Sequence, residues 1–95
     1  MTVGSAKIEL HIPASGSLKD KRRVVKSLKD RLLARFAVAV AEVDHLDQWQ
    51  RATLGVACVS NDARLVDATL SKVVAWVEGG ADVVVIDVDI ELVTH

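Results

Sequence analysis

Residues 3–12 alternate with period two: Ile8, Leu10 and Ile12 fall on one side, Lys7, Glu9 and His11 on the other. That is the pattern of a strand with one buried face. Pro13 and the small residues Ala14, Ser15 and Gly16 end it. The period then changes. Leu18, Val25, Leu28, Leu32 and Phe36 recur along one stripe at the helical repeat, which predicts a helix of about five turns with that stripe on the core. Ser17 suits its N-cap, and Asp20 stands at the third helical position, where a capping-box acid belongs.

Residues 37–46, rich in Val and Ala, predict a second strand. Glu42 and Asp44 share the parity of Val38 and Val40, a conflict that a bulge or a twisted strand end resolves. A hairpin around Asp47 and Gln48 leads into a third strand, Arg51–Ser60, with Leu54, Val56 and Cys58 inward. Asn61 is then expected to cap a second helix, with Asp62 complementing its dipole. Its buried stripe is Val66, Leu70, Val73 and Val77, and Gly79-Gly80 stops it. Residues 83–93 form the last strand, with Val84, Ile86, Val88, Ile90 and Leu92 opposite Asp87, Asp89 and Glu91.

The order β-α-β-β-α-β, with right-handed crossovers, predicts an α+β ferredoxin-like sandwich: a four-stranded antiparallel sheet with both helices on one face. The other face is left bare. It carries Lys7, Glu9, His11, Asp87, Asp89 and Glu91 towards one side and Thr53, Gly55 and Ala57 towards the other. At 95 residues, 51% hydrophobic and 26% charged, the chain is expected to be a single globular domain over 1–95. Neither a targeting segment nor an apolar run of the roughly 20 residues a bilayer demands is visible, so the expected location is the cytoplasm, with no membrane partner. Cys58 is the only cysteine, which excludes an internal disulfide and a multi-cysteine zinc site, and in a strand it reads as a buried thiol.

The net charge of −1 conceals a division: residues 17–36 carry +6 and residues 37–95 carry −7. Eight of the twelve Lys and Arg residues lie in the first helix. On a helical projection Lys19, Arg22, Arg23, Lys26 and Lys29 share one sector, interrupted by Asp30, and Lys21 belongs to the same segment. The like-charge pairs Lys19/Arg23, Arg22/Lys26 and Arg31/Arg35 at i,i+4 cost about 1 kcal/mol together. A helix selected for stability alone would alternate signs. The basic face therefore points to an anionic partner, most simply RNA phosphates, met by Lys19, Lys21, Arg22, Arg23, Lys26 and Lys29. The alternative is a solvated face offset by the acidic remainder. Base stacking on the bare sheet is not expected, because the chain has no Tyr and its one Phe ends the first helix.

The stretch AEVDHLDQWQR holds a second cluster: Asp44, His45, Trp49, Gln50 and Arg51. Asp44, His45 and Asp47 approach metal-ligand spacing, but a strand sends Asp44 and His45 to opposite faces, so a polar hairpin end is the preferred reading and no metal is expected. Trp49 either folds back over a core edge or serves as a contact anchor, and folding back is favoured. His11 and His45 can meet at one end of the sheet, yet no nucleophile, phosphate loop or carboxylate pair supports catalysis. The expectation is a non-enzyme without cofactors.

The run SLKDKRRVVKSLKDRL followed by VAEVDHLDQWQRATLGVACVSND resembles the small bacterial YlxP-like family, a domain of unknown function, over nearly the whole chain. The resemblance implies a ferredoxin-like fold. Because genes of that family commonly stand beside those for ribosome-binding factor A and a translation initiation factor, it also implies a part in ribosome assembly or translation. Ser17, Leu18, Lys19, Asp20, Lys21, Arg22 and Arg23, with Asp44, His45, Trp49, Gln50 and Arg51, are the positions it marks; it implies no catalytic residue. Two partner readings follow: structured RNA or a ribosomal particle on the first helix, or a homodimer or protein partner on the bare sheet.

Overall fold

In the computed structural model, which describes residues 1–95, the expected element order is present. The elements are β1 (Thr2–His11), α1 (Leu18–Arg35), β2 (Ala39–Asp44), β3 (Arg51–Ser60), α2 (Ala63–Glu78) and β4 (Val84–Thr94). The strands form one antiparallel sheet in the order β2-β3-β1-β4. Alternation along β1 decides which side is buried. Ala6, Ile8 and Leu10 are inaccessible beneath the helices and pair with Val56, Leu54 and Ala52 of β3. Val25, Leu28 and Leu32 of α1 and Val66, Leu70, Val73 and Val77 of α2 close the core over them. At Gly4 the approach is closest, since a Cβ there would lie 2.3 Å from Val66 Cγ1 and 2.8 Å from Leu70 Cδ1.

The helix starts follow local chemistry. Ser17 Oγ accepts from Asp20 N at 3.0 Å and caps α1. The Asp20 carboxylate reaches one residue beyond the cap, accepting from Gly16 N at 3.1 Å. The cap of α2 is Asp62, whose Oδ1 accepts from Arg64 N at 2.9 Å, and Asn61 stays outside the helix. The expectation for Asn61 fails because the carboxylate one residue later caps and carries a charge suited to the dipole. Gly79 ends α2 as expected.

Two strands depart from simple alternation. β2 is shorter than the predicted 37–46, and its register with β3 shifts between Glu42 and Asp44. Glu42 therefore stays on the core side opposite Leu54, while Asp44 turns to the bare side opposite Thr53. Val43 lies across Gly55, where a Cβ would meet Val43 Cγ1 at 2.8 Å. In β4 the register with β1 shifts between Glu9 and Leu10 and skips Ile86. Val88, Ile90 and Leu92 remain on the core side opposite Ile8, Ala6 and Gly4, but Val85 takes the core-side place opposite Leu10. Val84, opposite His11, falls on the bare side. The bulge thus breaks the predicted single set from Val84 to Leu92.

On the bare face, register places Lys7 between Gly55 and Asp89, Glu9 between Thr53 and Asp87, and Ser5 between Ala57 and Glu91. β2 and β4 are the outer strands. On β4 the carboxylates Asp87, Asp89 and Glu91 alternate with apolar residues, and Ile90 and Leu92 are partly exposed. No helix is long and apolar enough to cross a membrane.

Candidate functional site

The stripe that α1 lays on the core contains a charge. Between Leu18 and Val25, at the spacing of three and four residues that defines the stripe, stands Lys21, and its side chain is fully buried. Its ammonium donates to His45 O at 2.7 Å and Leu46 O at 2.9 Å. Glu42 Oε2 lies 2.8 Å away. That carboxylate oxygen has no hydrogen-bond partner, so the contact is ionic in distance but not in hydrogen-bond alignment, and its attraction is coulombic. Lys21 is hence removed from the phosphate-binding set: a buried ammonium with three oxygen neighbours has no donor to offer an external anion. It instead ties the first helix to the loop between β2 and β3. The inward Glu42, which looked like a strand-parity conflict in the sequence, is its counter-charge.

The remaining cations divide by partner. Lys26 pairs with Asp30 at 2.8 Å, both side chains well exposed. The hydrogen bond to Asp30, then its charge, raises the Lys26 ammonium above its ordinary range. Arg31 and Arg35 bend to the other flank of α1, where their guanidinium carbons lie 5.4 and 5.2 Å from the centroid of the Trp76 ring on α2, within cation–π range. The molecule's four ion pairs leave Lys19, Arg22, Arg23 and Lys29 without a carboxylate partner. Lys19, Arg22 and Arg23 are exposed within the first two turns, and Lys29 is half-buried.

Those turns abut the 45–50 loop, which is held at both ends. His45 takes a left-handed backbone, φ 60, rare for a residue other than glycine. Asp44 Oδ1 accepts from His45 N at 2.7 Å, and His45 Nδ1 lies 2.9 Å from Thr53 Oγ1. At the other end Ile12 N donates to Gln50 O at 2.8 Å, and the Gln50 amide donates to Pro13 O at 3.3 Å and Ser15 O at 3.1 Å. Gln50 therefore anchors the entry to α1. His11 Nδ1 lies 3.2 Å from Gln50 O, so His11 and His45 are occupied separately and form no acid–base pair. No group of three or more His, Cys, Asp or Glu side chains is arranged to hold a metal.

Trp49 does not fold back. It is 56% exposed, and Leu46 beside it is 58% exposed. The six residues of the loop are too few to return an indole to a core edge already closed by Ile12 and Leu10. Arg51 points its Nη2 towards Glu9 Oε2 at 3.6 Å, while its buried Nε has no acceptor. Asp44, by contrast, sits across the bulge on the bare face beside Thr53 and Lys7. The structure thus brings Trp49, Gln50 and Arg51 together with His11 around one hollow, ties Gln50 to the segment that enters α1, and separates Asp44 from them. Burial pushes the Cys58 thiol above its usual range.

Sequence reasoning missed Leu46, Glu42 and the sequestration of Lys21. The signal for Lys21 was present in the spacing from Leu18 to Val25; its charge concealed it.

The chain is 36% identical over 76 residues to the uncharacterized protein YlxP of Bacillus subtilis (strain 168), a match covering 80% of this chain and 83% of that one. A family model described as a protein of unknown function, DUF503, matches residues 3–90, and the chain belongs to that family.

Proposed function

We propose that the protein is a cytoplasmic, non-enzymatic accessory factor that binds structured RNA or a ribosomal particle through the exposed side of α1, with the 45–50 loop assisting. The observation that supports this most is the set of cations on α1 left without either a carboxylate or the Trp76 ring, Lys19, Arg22, Arg23 and Lys29, in a chain whose other segments are acidic enough to have supplied partners. Phosphate binding needs such clustered, uncompensated charge. Lys26 contributes after release from Asp30, and Lys21 acts indirectly, by fixing the loop.

The rival is self-association on the bare sheet. A shallow hollow of about 370 Å³ there is lined by small side chains, among them Ser5, Ala39, Ala41, Gly55 and Ala57, with Val43 at its side. Salt separates the two. Binding of a structured RNA should weaken linearly in log–log coordinates, with a slope of about −0.7 to −0.9 per phosphate neutralised, and Arg22→Ala/Arg23→Ala should flatten that slope by about two phosphates' worth. Absence of RNA affinity at low salt, together with a dimer on sizing, would favour the rival and end the RNA reading.

A further inference from the structure

Around Trp49 lies a shallow, open hollow lined by His11, Asp47, Gln48, Trp49, Gln50 and Arg51. Its lining residues are mostly polar around one aromatic ring. Several groups in it lack partners within the chain. The Trp49 indole N–H, the Gln48 amide and the Asp47 carboxylate make no intramolecular side-chain hydrogen bond, and all three residues are exposed. The Gln50 amide nitrogen is used on Pro13 and Ser15, which leaves its oxygen as an acceptor. The loop that carries them is fixed at both ends by Lys21, Thr53 and Ile12.

We propose that this hollow receives one unpaired nucleobase of the bound RNA, stacked on Trp49 and read along its edge by Gln48, Asp47 and Arg51. The proposal rests on the RNA reading above and adds where a base goes and what kind of RNA is preferred. An aromatic face with amide, carboxylate and guanidinium groups beside it matches the ring and mixed donor–acceptor edge of a base. The Asp47 charge repels a phosphate, so a base and not the backbone enters the hollow. Preference then falls on loops and bulges, whose bases are free to splay out, over continuous duplex.

The experiment uses the full chain carrying Trp76→Phe, which makes Trp49 the sole tryptophan, titrated with an RNA hairpin bearing a purine-rich unpaired loop and with the same stem fully paired. The looped RNA should quench Trp49 fluorescence along the binding curve. Trp49→Ala should weaken looped RNA by about 5- to 150-fold, the equivalent of about 1–3 kcal/mol for one stacked base, and weaken the paired stem far less, while Trp49→Phe retains most of the affinity. If Trp49 fluorescence does not respond, or Trp49→Ala affects both RNAs alike, while Arg22→Ala/Arg23→Ala still weakens binding, the proposal for the hollow falls and the RNA reading stands. If the unaltered protein binds neither RNA, both fall.

Discussion

Replacing Lys21 tests the internal logic of the molecule most directly. Lys21→Met keeps the length and apolar stem of the side chain but removes the ammonium. Glu42, with only 14% of its side chain exposed, is left charged and uncompensated, and the carbonyls of His45 and Leu46 lose their donor. Removing one partner of a buried ion pair costs about 3–5 kcal/mol. Each orphaned carbonyl adds up to about 1–3 kcal/mol, less whatever the loop recovers by relaxing towards water. The six-residue loop is at the surface, so relaxation is available and the lower figure, about 3–4 kcal/mol, is expected. Against a total of about 5–15 kcal/mol for a domain of this kind the loss is large. In urea, at about 1–3 kcal/mol per molar, the midpoint should fall by about 1–4 M. Adding Glu42→Leu to Lys21→Met removes the stranded charge and should restore more than half of the loss, because an apolar replacement of a buried pair is often close to neutral. A Lys21→Met midpoint within about 0.3 M of the unaltered protein would refute the reasoning, as would a double variant no better than the single one.

Other outcomes follow from the same structure. Gly4→Ala places a methyl against Val66 and Leu70 and should destabilise by about 1–3 kcal/mol in thermal or urea unfolding, unlike Gly16→Ala, where the nearest atom is 3.6 Å away. Asp30→Asn frees Lys26 from its only carboxylate and should tighten RNA binding and steepen its salt dependence by up to one phosphate's worth, about 0.7–0.9 in slope. The Cys58 thiol, raised by burial, should react with a disulfide reagent more slowly than a free thiol near neutral pH, its rate climbing with a midpoint displaced upward. The sign for stability is that the neutral thiol's contribution is whole below the unfolded thiol's titration and is lost as pH rises through the folded one, so a downward displacement would contradict the burial.

Where alternation and helical spacing ran uninterrupted, as along Lys7 to Ile12 and from Val66 to Val77, the sequence led to the observed strand and helix and to the right inward residues. In β2 the parity conflict of Glu42 and Asp44 with Val38 and Val40 pointed to the irregularity that the register shows between Glu42 and Asp44. In β4 the reading failed: the bulge at Ile86 reverses the face of Val84, and its apolar residues kept their parity through it, so no side-chain pattern announced the extra residue. Lys21 was misassigned for a different reason. Charge is a strong prior for exposure, and only a partner on another element, Glu42 at the inward position of β2, overrides it. The cationic sector of α1 was legible, but which of its members find partners depends on tertiary neighbours: Trp76 for Arg31 and Arg35, loop carbonyls for Lys21.

The outer strand β4 has a consequence for handling the protein. Its backbone is unpaired along one side for eleven residues, and near neutral pH two such ribbons brought together face carboxylate with carboxylate at Asp87, Asp89 and Glu91. That mutual repulsion keeps copies from zipping into a shared sheet. Replacing all three by amides, Asp87→Asn, Asp89→Asn and Glu91→Gln, strips the guard away while the aliphatic residues between remain, so turbidity and fibrous deposits should arise in that variant first.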